Sequence, residues 1–278
     1  MLLYFAGCAT MSSVLTNFWA QKRLIGMVHL GPLPGSPRDA GDFAGVLARA
    51  EADAKALVAG GVDAIMVENF FDAPFAKDSV PPHTLAALTR AALVVRDAAP
   101  ELPLGINCLR NDAKGALAIA HIVGAQFVRV NVWVGAAVTD QGIIEGAARE
   151  GTLYRKLLGA EHIQIFTDVF VKHAAQLGDG TQTIQDAAKD AVLRGMADAL
   201  IVSGSATGSG TSPADVTAVA QAVPGTPVLI GSGFGLTTAR ELLDAGAAGA
   251  IVGSSLKVST VDSPVDPEKV RALRAIMG

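Results

Sequence analysis

The segment VLIGSGFGLTTARELLDAGAAGAIVGSS, residues 228–255 of this 278-residue chain, contains the pattern that decides the fold. The apolar, β-branched run at 228–233 predicts a buried strand, and residues 237–244 predict a helix that ends at Gly246. A second apolar run at 250–254 predicts the next strand. Strand, helix and strand in this order indicate one parallel βαβ unit.

The same unit recurs along the rest of the chain. Further strands are predicted at 24–30, 64–69, 104–109, 127–133, 163–170 and 199–204, and further helices at 44–59, 84–97, 113–123, 142–158, 183–196, 213–222 and 267–277. Eight such units predict an α/β protein with a single (β/α)8 TIM barrel. An open dinucleotide-binding sheet would carry a G-x-G-x-x-G turn after its first strand, where this chain has the proline-rich turn GPLPGSP at 31–37.

The composition excludes several classes of protein. Half of the residues are apolar and the formal net charge is −4, so the chain is not disordered. No run of Lys and Arg forms a basic stripe, and we expect no nucleic-acid partner. Mean hydropathy is +0.40, but apolar runs such as 199–202 and 247–252 are short and broken by glycine. A membrane span needs about 20 apolar residues in a row, so no integral membrane segment is expected.

The cysteines and the N-terminal residues bear on cellular location and on the domain boundary. Cys8 and Cys108 form no metal-ligand cluster and predict a reducing, cytoplasmic location. Residues 1–22 are predicted to be an N-terminal extension, with Met11 as an alternative start, and residues 23–278 to be the barrel domain. The alanine-rich helices fit close packing within one barrel or between the subunits of a homo-oligomer.

Polar residues collect where the predicted strands end. In a TIM barrel all of these ends meet on the face that carries the active site. The residues are His29, Glu68, Asn69, Asn107, Arg110, Asn111, Asp112, Arg129, Asn131, Asp140, Asp168, Lys172, His173, Ser203 and Thr207. Arg129 and Asp168 alone are equally well interpreted as a structural ion pair, but repetition at almost every strand end favours a functional site.

The residue types suggest roles within this site. The predicted catalytic residues are Glu68, Asp168, Lys172, His29 and Arg129. Carboxylates transfer protons or hold Mg²⁺, so Glu68 and Asp168 are the candidates for a possible magnesium site. Lys172 either stabilises negative charge or forms a Schiff base. The predicted substrate-binding residues are Asn69, Asn107, Arg110, Asn131, Asp140, His173 and Ser203.

Two glycine-rich loops follow the last two predicted strands. Glycine lets backbone N–H groups approach an anion closely, and phosphate commonly binds to these loops in this fold. Gly231, Ser232, Gly233, Gly253 and Ser254 are therefore the predicted phosphate-binding residues. Tight turns between strand and helix also need glycine, so the structural interpretation stays open.

From about residue 23 onward the sequence resembles the BtpA family, which includes the SgcQ group. The resemblance is carried by IGMVHLGPLPGSP at 25–37, ENF at 68–70, LRND at 109–112, RVN at 129–131 and VKH at 171–173. It implies a TIM barrel like those that bind ribulose phosphate. It also brings a name taken from photosystem I biogenesis, but no established reaction. The loop at 233–235 is richer in glycine than in related sequences, which affects the size of the phosphate pocket.

Three functions remain open at this point. The first is an enzyme that acts on a small phosphorylated metabolite, a sugar phosphate or a nucleotide-derived compound, by acid–base or metal-assisted chemistry. Isomerisation, aldol-type cleavage and hydrolysis all fit the residues. The second is a non-catalytic assembly factor for photosystem I, which predicts an exposed apolar patch on the helices. The third is a barrel that binds a phosphorylated effector without converting it.

Overall fold

Eight parallel strands close into a barrel in the computed structural model, which describes residue 15 and residues 17–178, 180–204 and 210–278. The strands in chain order are β1 (Arg23–His29), β2 (Ala64–Glu68), β3 (Leu104–Asn107), β4 (Phe127–Val130), β5 (Ala136–Thr139), β6 (Gly142–Glu145), β7 (Gln164–Val169), β8 (Ala174–Gln176), β9 (Ala199–Val202), β10 (Val228–Ile230) and β11 (Gly249–Val252). The barrel order is β1, β11, β10, β9, β7, β4, β3, β2. The predicted TIM barrel is confirmed.

Helices cover the outside of the barrel. They are α1 (Phe43–Gly60), α2 (Pro82–Ala98), α3 (Ala113–Val123), α4 (Ala148–Leu157), α5 (Ile184–Lys189), α6 (Pro213–Ala222), α7 (Ala239–Asp244) and α8 (Pro267–Met277). The Ser212 and Asp266 side chains accept hydrogen bonds from backbone N–H groups at the starts of α6 and α8. Proline follows each of these two residues, and its fixed φ suits the first helical position.

Three strands outside the barrel correct the prediction for residues 142–158. β5, β6 and β8 form an antiparallel sheet in the order β6, β5, β8. The start of the predicted helix is wrong, because residues 142–145 form β6 and α4 begins only at Ala148. Gly142 has a φ of +96°, which turns the chain back on itself, and Ile144 is buried between exposed neighbours as strand alternation requires. The helix predicted at 183–196 is also shorter, and π-helical residues follow α5.

Apolar side chains fill the lower part of the barrel interior. Met27, Met66, Gly105 and Phe127 are register partners on four neighbouring strands. The Phe127 ring stacks on Phe166 with 4.6 Å between ring centroids. Gly105 leaves room for this ring, because a Cβ atom there would approach Phe127 Cε2 to 2.0 Å. The interior below the rim is therefore a packed core and not a channel.

The N-terminal side of the barrel is covered by residues that precede β1. Phe18 belongs to the apolar cluster of the barrel interior, and Trp19 packs against Phe166. The boundary predicted at residue 23 stays a prediction, and Met11 and Thr207 lie outside the described residues. In the part of the chain that the structure describes, no helix has the length and apolar character that a membrane span requires.

A buried ion pair that the sequence did not reveal joins α1 to the segment between β11 and α8. Lys257 Nζ lies 2.6 Å from an Asp53 oxygen, and both side chains are almost completely buried. The backbone N–H of Val265 donates to the other Asp53 oxygen at 2.9 Å. These contacts tie α1 to the segment that follows β11, where the two ends of the barrel meet.

We predict that Gly105→Ala lowers the free energy of unfolding by about 1–3 kcal/mol, because the added methyl group forces the Phe127 ring out of its place in the core. Urea unfolding measures this change. Gly178→Ala is the matched control, since a Cβ atom at Gly178 meets no atom within 4 Å. Equal stability of the two variants would contradict the packing described for the barrel interior.

Candidate active site

Four polar side chains form a ring directly above the apolar interior. His29 is the register partner of Glu68, Glu68 of Asn107, and Asn107 of Arg129. Paired residues on neighbouring parallel strands point to the same face of the sheet, and two residues along each strand return to that face. The ring therefore points into the barrel at its carboxyl end, as the sequence predicted.

The Arg129 guanidinium is held by a fully buried carboxylate. Arg129 Nε and Nη2 donate to the two oxygens of Asp168 at 2.9 and 2.7 Å. Asn131 Nδ2 and Ser203 Oγ donate to the same carboxylate at 3.2 and 3.1 Å. Burial acts to lower the pKa of Arg129, but the charge and hydrogen bonds of Asp168 outweigh it and raise that pKa. Arg129 is a fixed positive charge in the floor of the site.

Glu68 and His29 lie beside each other in a poorly solvated position. Glu68 Oε2 accepts a hydrogen bond from Asn107 Nδ2 at 2.6 Å, and Glu68 Oε1 is 4.0 Å from His29 Nε2. Burial raises the pKa of Glu68. Burial, aided by the Lys257 and Lys172 charges, lowers the pKa of His29 to about 3. His29 is thus neutral at physiological pH, while Glu68 has an increased tendency to hold a proton.

Lys172 extends over this ring from the loop after β7. Its backbone carbonyl accepts a hydrogen bond from Arg110 Nη2 at 2.9 Å. Phe170 and His173, on either side of it, have φ values of +56° and +57°, a left-handed conformation that non-glycine residues rarely adopt. Burial and the neighbouring Arg129 charge lower the pKa of Lys172. Among the described residues, no carboxylate lies within 4.0 Å of its ammonium group.

Three hydroxyl groups fix the glycine-rich loop after β10. Thr211 Oγ1, Thr238 Oγ1 and Ser255 Oγ donate to the successive carbonyls of residues 232, 233 and 234 at 2.7, 2.7 and 2.8 Å. In a trans peptide the N–H points away from the preceding C=O. The N–H groups of Gly233 and Phe234 therefore face away from these hydroxyls, and no acceptor for them occurs in the described parts of the chain.

The glycines of the two loops also have a steric role. A Cβ atom at Gly253 would lie 2.4 Å from His29 Cε1, and one at Gly231 would lie 2.5 Å from Ser203 Oγ. These two positions need glycine whether or not a ligand binds. Gly233 has a φ of +71°, a conformation that also favours glycine at this position.

A cavity of about 270 Å³ is lined by three of the four ring residues, by Lys172 and by both glycine loops. Its polar and charged lining consists of His29, Glu68, Arg129, Lys172, Ser232, Ser254 and Ser255. Phe70, which the sequence did not single out as a site residue, lines it as well and stacks on His29 at 4.4 Å between ring centroids. The cavity has a charged wall, an aromatic wall and a wall formed by the two glycine-rich loops.

Several buried polar atoms at the rim have no protein partner among the residues that the structure describes. They are His29 Nδ1, Asn107 Oδ1, Arg110 Nε and Asn131 Oδ1. A buried donor or acceptor without a partner costs about 1–3 kcal/mol and calls for an explanation. Gln164 Oε1, at the start of β7, is another such atom, so unpartnered polar atoms are more numerous at the rim but are not confined to it.

Other predicted rim residues are used to hold the loops. Asn69 accepts from the backbone N–H of Leu109 at 2.7 Å and donates to Asp72 at 3.1 Å. Asn111 makes two hydrogen bonds with the backbone of Val132, and Asp112 caps α3. These contacts give Asn69, Asn111 and Asp112 bracing roles, and direct substrate binding by Asn69 stays a prediction.

Asp140 and His173 lie at the outer edge of the site. Asp140 is exposed at the turn between β5 and β6. Burial, with the charges of Lys172 and Arg110, lowers the pKa of His173, and the Asp140 charge opposes this effect. The small sheet thus brings an acidic and a titratable group over the rim, and their contact with substrate stays a prediction.

The donor atoms do not fit the magnesium site considered from the sequence. Both oxygens of Asp168 are already bound by Arg129, and Glu68 Oε2 is bound by Asn107. Across the described ranges, no group of three or more His, Cys, Asp or Glu side chains is arranged to hold a metal ion.

Fold and site together define a (β/α)8-barrel protein with a cationic, polar cavity at its carboxyl rim. Residues 20–277 match the model of the BtpA family, and the chain belongs to that family. It is 48% identical over 260 residues to the photosystem I biogenesis protein BtpA of Synechocystis, covering 92% of this chain and 88% of that protein. An uncharacterised mitochondrial protein of Caenorhabditis elegans is 37% identical and is covered to 85%.

Solved structures with the same fold are distant in sequence. KGPDC from Streptococcus mutans matches with a TM-score of 0.59 at 13% identity, covering 92% of this chain and 97% of that one. The thiamine phosphate pyrophosphorylase of Pyrococcus furiosus matches with a TM-score of 0.56 at 16% identity, covering 94% and 98%. At these identities the likeness shows the fold alone.

We predict that His29 makes the protein less stable in acid. Between pH 6.5 and about 3 the unfolded chain binds a proton at His29 that the folded chain does not, so the free energy of unfolding falls as the pH falls. One such proton contributes up to about 1.4 kcal/mol per pH unit. Urea titrations at several pH values should show a shallower slope for His29→Gln. The control variant His121→Gln, at an exposed helical position, should keep the wild-type slope. If His29→Gln also kept that slope, the burial of a neutral His29 would be contradicted.

Proposed function

We propose that this barrel is an enzyme that binds a small phosphorylated metabolite in the rim cavity and converts it by acid–base chemistry. The observation that carries the proposal is the meeting of three features in one cavity of about 270 Å³: the glycine loops, the fixed Arg129 charge and the Glu68 carboxyl group. The proposal rests on the chemistry of this cavity, because a fold alone does not identify a reaction.

The phosphate group is assigned to the two glycine loops. The N–H groups of Gly233 and Phe234 have no acceptor in the described chain, and Ser232 and Ser254 bring hydroxyl groups to the same wall. Backbone N–H groups in a concave loop are suitable donors to phosphate oxygens.

The reacting part of the substrate is assigned to the opposite wall. Arg129, which Asp168 keeps in position, stabilises negative charge that develops there, and Lys172 lies in the same wall. Glu68 transfers a proton, since burial raises its pKa and so increases the fraction of Glu68 that holds a proton to donate. Neutral His29 hydrogen-bonds to the substrate from the cavity wall that it lines. Orientation of the substrate by Asn107 and Asn131 stays a prediction, because the lining of this cavity does not include them.

We predict that phosphorylated ligands stabilise the protein against heat. A ligand at 100 times its dissociation constant raises the free energy of unfolding by about 2.7 kcal/mol. Differential scanning fluorimetry with inorganic phosphate, ribulose 5-phosphate and AMP tests this. Ser232→Glu with Ser254→Glu should abolish the shift by placing negative charge at the loops. Ser259→Glu, on an exposed segment outside the cavity, should retain it. A shift that survives the double substitution would refute the phosphate assignment.

A second candidate function is suggested by the name of the Synechocystis relative and by one surface feature. Leu153 and Met196 are more than half exposed and line a groove of about 610 Å³ between α4 and the residues that follow the π-helical turn. Exposed apolar side chains around a groove are typical of protein-binding surfaces. This feature favours the assembly factor over a barrel that only binds an effector. Homo-oligomerisation and a cytoplasmic location stay predictions.

Complementation separates the two candidates. In Synechocystis cells that lack the relative, we expect this chain to restore photosystem I content when it carries Leu153→Gln with Met196→Gln, and to fail when it carries Ser232→Glu with Ser254→Glu. This outcome is expected if the protein acts as an enzyme through the rim cavity. The reverse pattern, with both variants folded as judged by thermal melts, would identify the apolar groove as the functional surface and the protein as an assembly factor.

A further inference from the structure

Lys172 is built into the cavity in an unusual way for a lysine. Of the described lysines, it is the one whose side chain lines the rim cavity. Lys257 is also buried, but its ammonium group is paired with Asp53 at 2.6 Å. Lys55 and Lys114 are exposed and are paired with Glu51 and Glu150. Lys172 combines a sheltered position with the absence of a carboxylate within 4.0 Å in the described chain.

The surroundings of Lys172 favour its neutral amine. Arg129 lies in the same cavity wall, and Asp168 holds its positively charged guanidinium group in place there. Glu68 is the nearby carboxyl group, and burial raises its pKa, which weakens its hold on a neighbouring ammonium group. The pKa of Lys172 is correspondingly lowered by burial and by Arg129. Desolvation next to another cation increases the fraction of the neutral, nucleophilic lysine amine.

The backbone of Lys172 is also held in place. Arg110 binds its carbonyl, and β8, which begins two residues later, pairs with β5. A reactive group needs such support, because small displacements of a nucleophile reduce its rate of attack strongly. A lysine that only attracted an anion would not need this support, since a charge acts over a longer distance than a bond-forming atom.

We propose that Lys172 forms a Schiff base with the substrate, which is then a phosphorylated aldehyde or ketone. This inference rests on the function proposed above and names its substrate class. The Lys172 amine attacks the carbonyl carbon, and a proton passes from nitrogen to the carbonyl oxygen to give a carbinolamine. Glu68, in its protonated form, donates its proton to the hydroxyl group, which leaves as water. The products are a protonated imine on Lys172 and the Glu68 carboxylate, so atoms and charges balance.

The protonated imine determines the type of reaction that can follow. It withdraws electrons from the bonds next to the former carbonyl carbon, which promotes loss of a proton there or cleavage of a carbon–carbon bond. The Glu68 carboxylate left by imine formation is then available as the base. Phe70 and His29 form an aromatic wall beside these groups. Isomerisation and aldol-type cleavage fit this site, whereas hydrolysis needs no imine.

Borohydride trapping tests the proposal. Borohydride delivers hydride to the imine carbon and converts it to a stable secondary amine, which peptide mass spectrometry locates. The probes are glycolaldehyde phosphate, dihydroxyacetone phosphate and ribulose 5-phosphate, with glycolaldehyde and dihydroxyacetone as unphosphorylated controls. We expect a phosphorylated probe to label Lys172 at least about tenfold more than any other lysine. Lys77→Arg, at an exposed lysine near Asp78, should not change this labelling.

Lys172→Arg separates imine formation from simple attraction of an anion. Arginine is cationic and forms no imine, so this variant should lose labelling and keep its stabilisation by inorganic phosphate. No label at Lys172 in protein that phosphate stabilises would overturn the Schiff base and leave the proposed function standing. Equal labelling of exposed lysines would overturn it too. Absence of both label and stabilisation by any phosphorylated probe would reject the proposed function together with the inference.

Discussion

The carboxylate of Asp168 is the group on which the rest of the site depends. A guanidinium inside a barrel is tolerated only when its charge is paired, and removal of one partner of a buried pair costs about 3–5 kcal/mol. Asp168 meets this requirement with two hydrogen bonds to Arg129 and accepts two more from Asn131 and Ser203. One carboxylate therefore connects the ends of β4, β7 and β9 and sets the position of the positive charge that faces the cavity.

The division of the barrel interior into two parts explains why chemistry is confined to one end. Below the rim, Phe127 and Phe166 stack in a closed apolar layer, and Gly105 is small because that layer has no room for a side chain. Two residues further along the same strands come Asn107, Arg129 and Asp168, of which Arg129 lines the cavity. The apolar layer excludes water from beneath the ring, and the resulting low polarity raises the pKa of Glu68 and lowers that of His29.

Sequence patterns predicted the barrel well and the site in part. Each barrel strand is a short apolar run with a polar end, so both the strands and the rim were visible. The sheet of β5, β6 and β8 was missed because its few residues lack a long alternating pattern. Asn111 and Asp112 showed that a polar residue at a strand end can bind backbone instead of ligand, which spacing does not reveal. The Lys257–Asp53 pair joins residues 204 positions apart, and no local pattern connects them.

A crystal structure of the protein grown with ribulose 5-phosphate tests the central claim most directly. The claim is that the rim cavity binds a phosphorylated metabolite, with its phosphate on the glycine loops and its reacting end on the charged wall. We expect the phosphate within hydrogen-bonding distance of the N–H groups of Gly233 and Phe234, and the carbonyl end directed towards Lys172 and Arg129. A ligand found only in the groove beside Leu153, or the same cavity without bound sugar phosphate at saturating concentration, would contradict the claim.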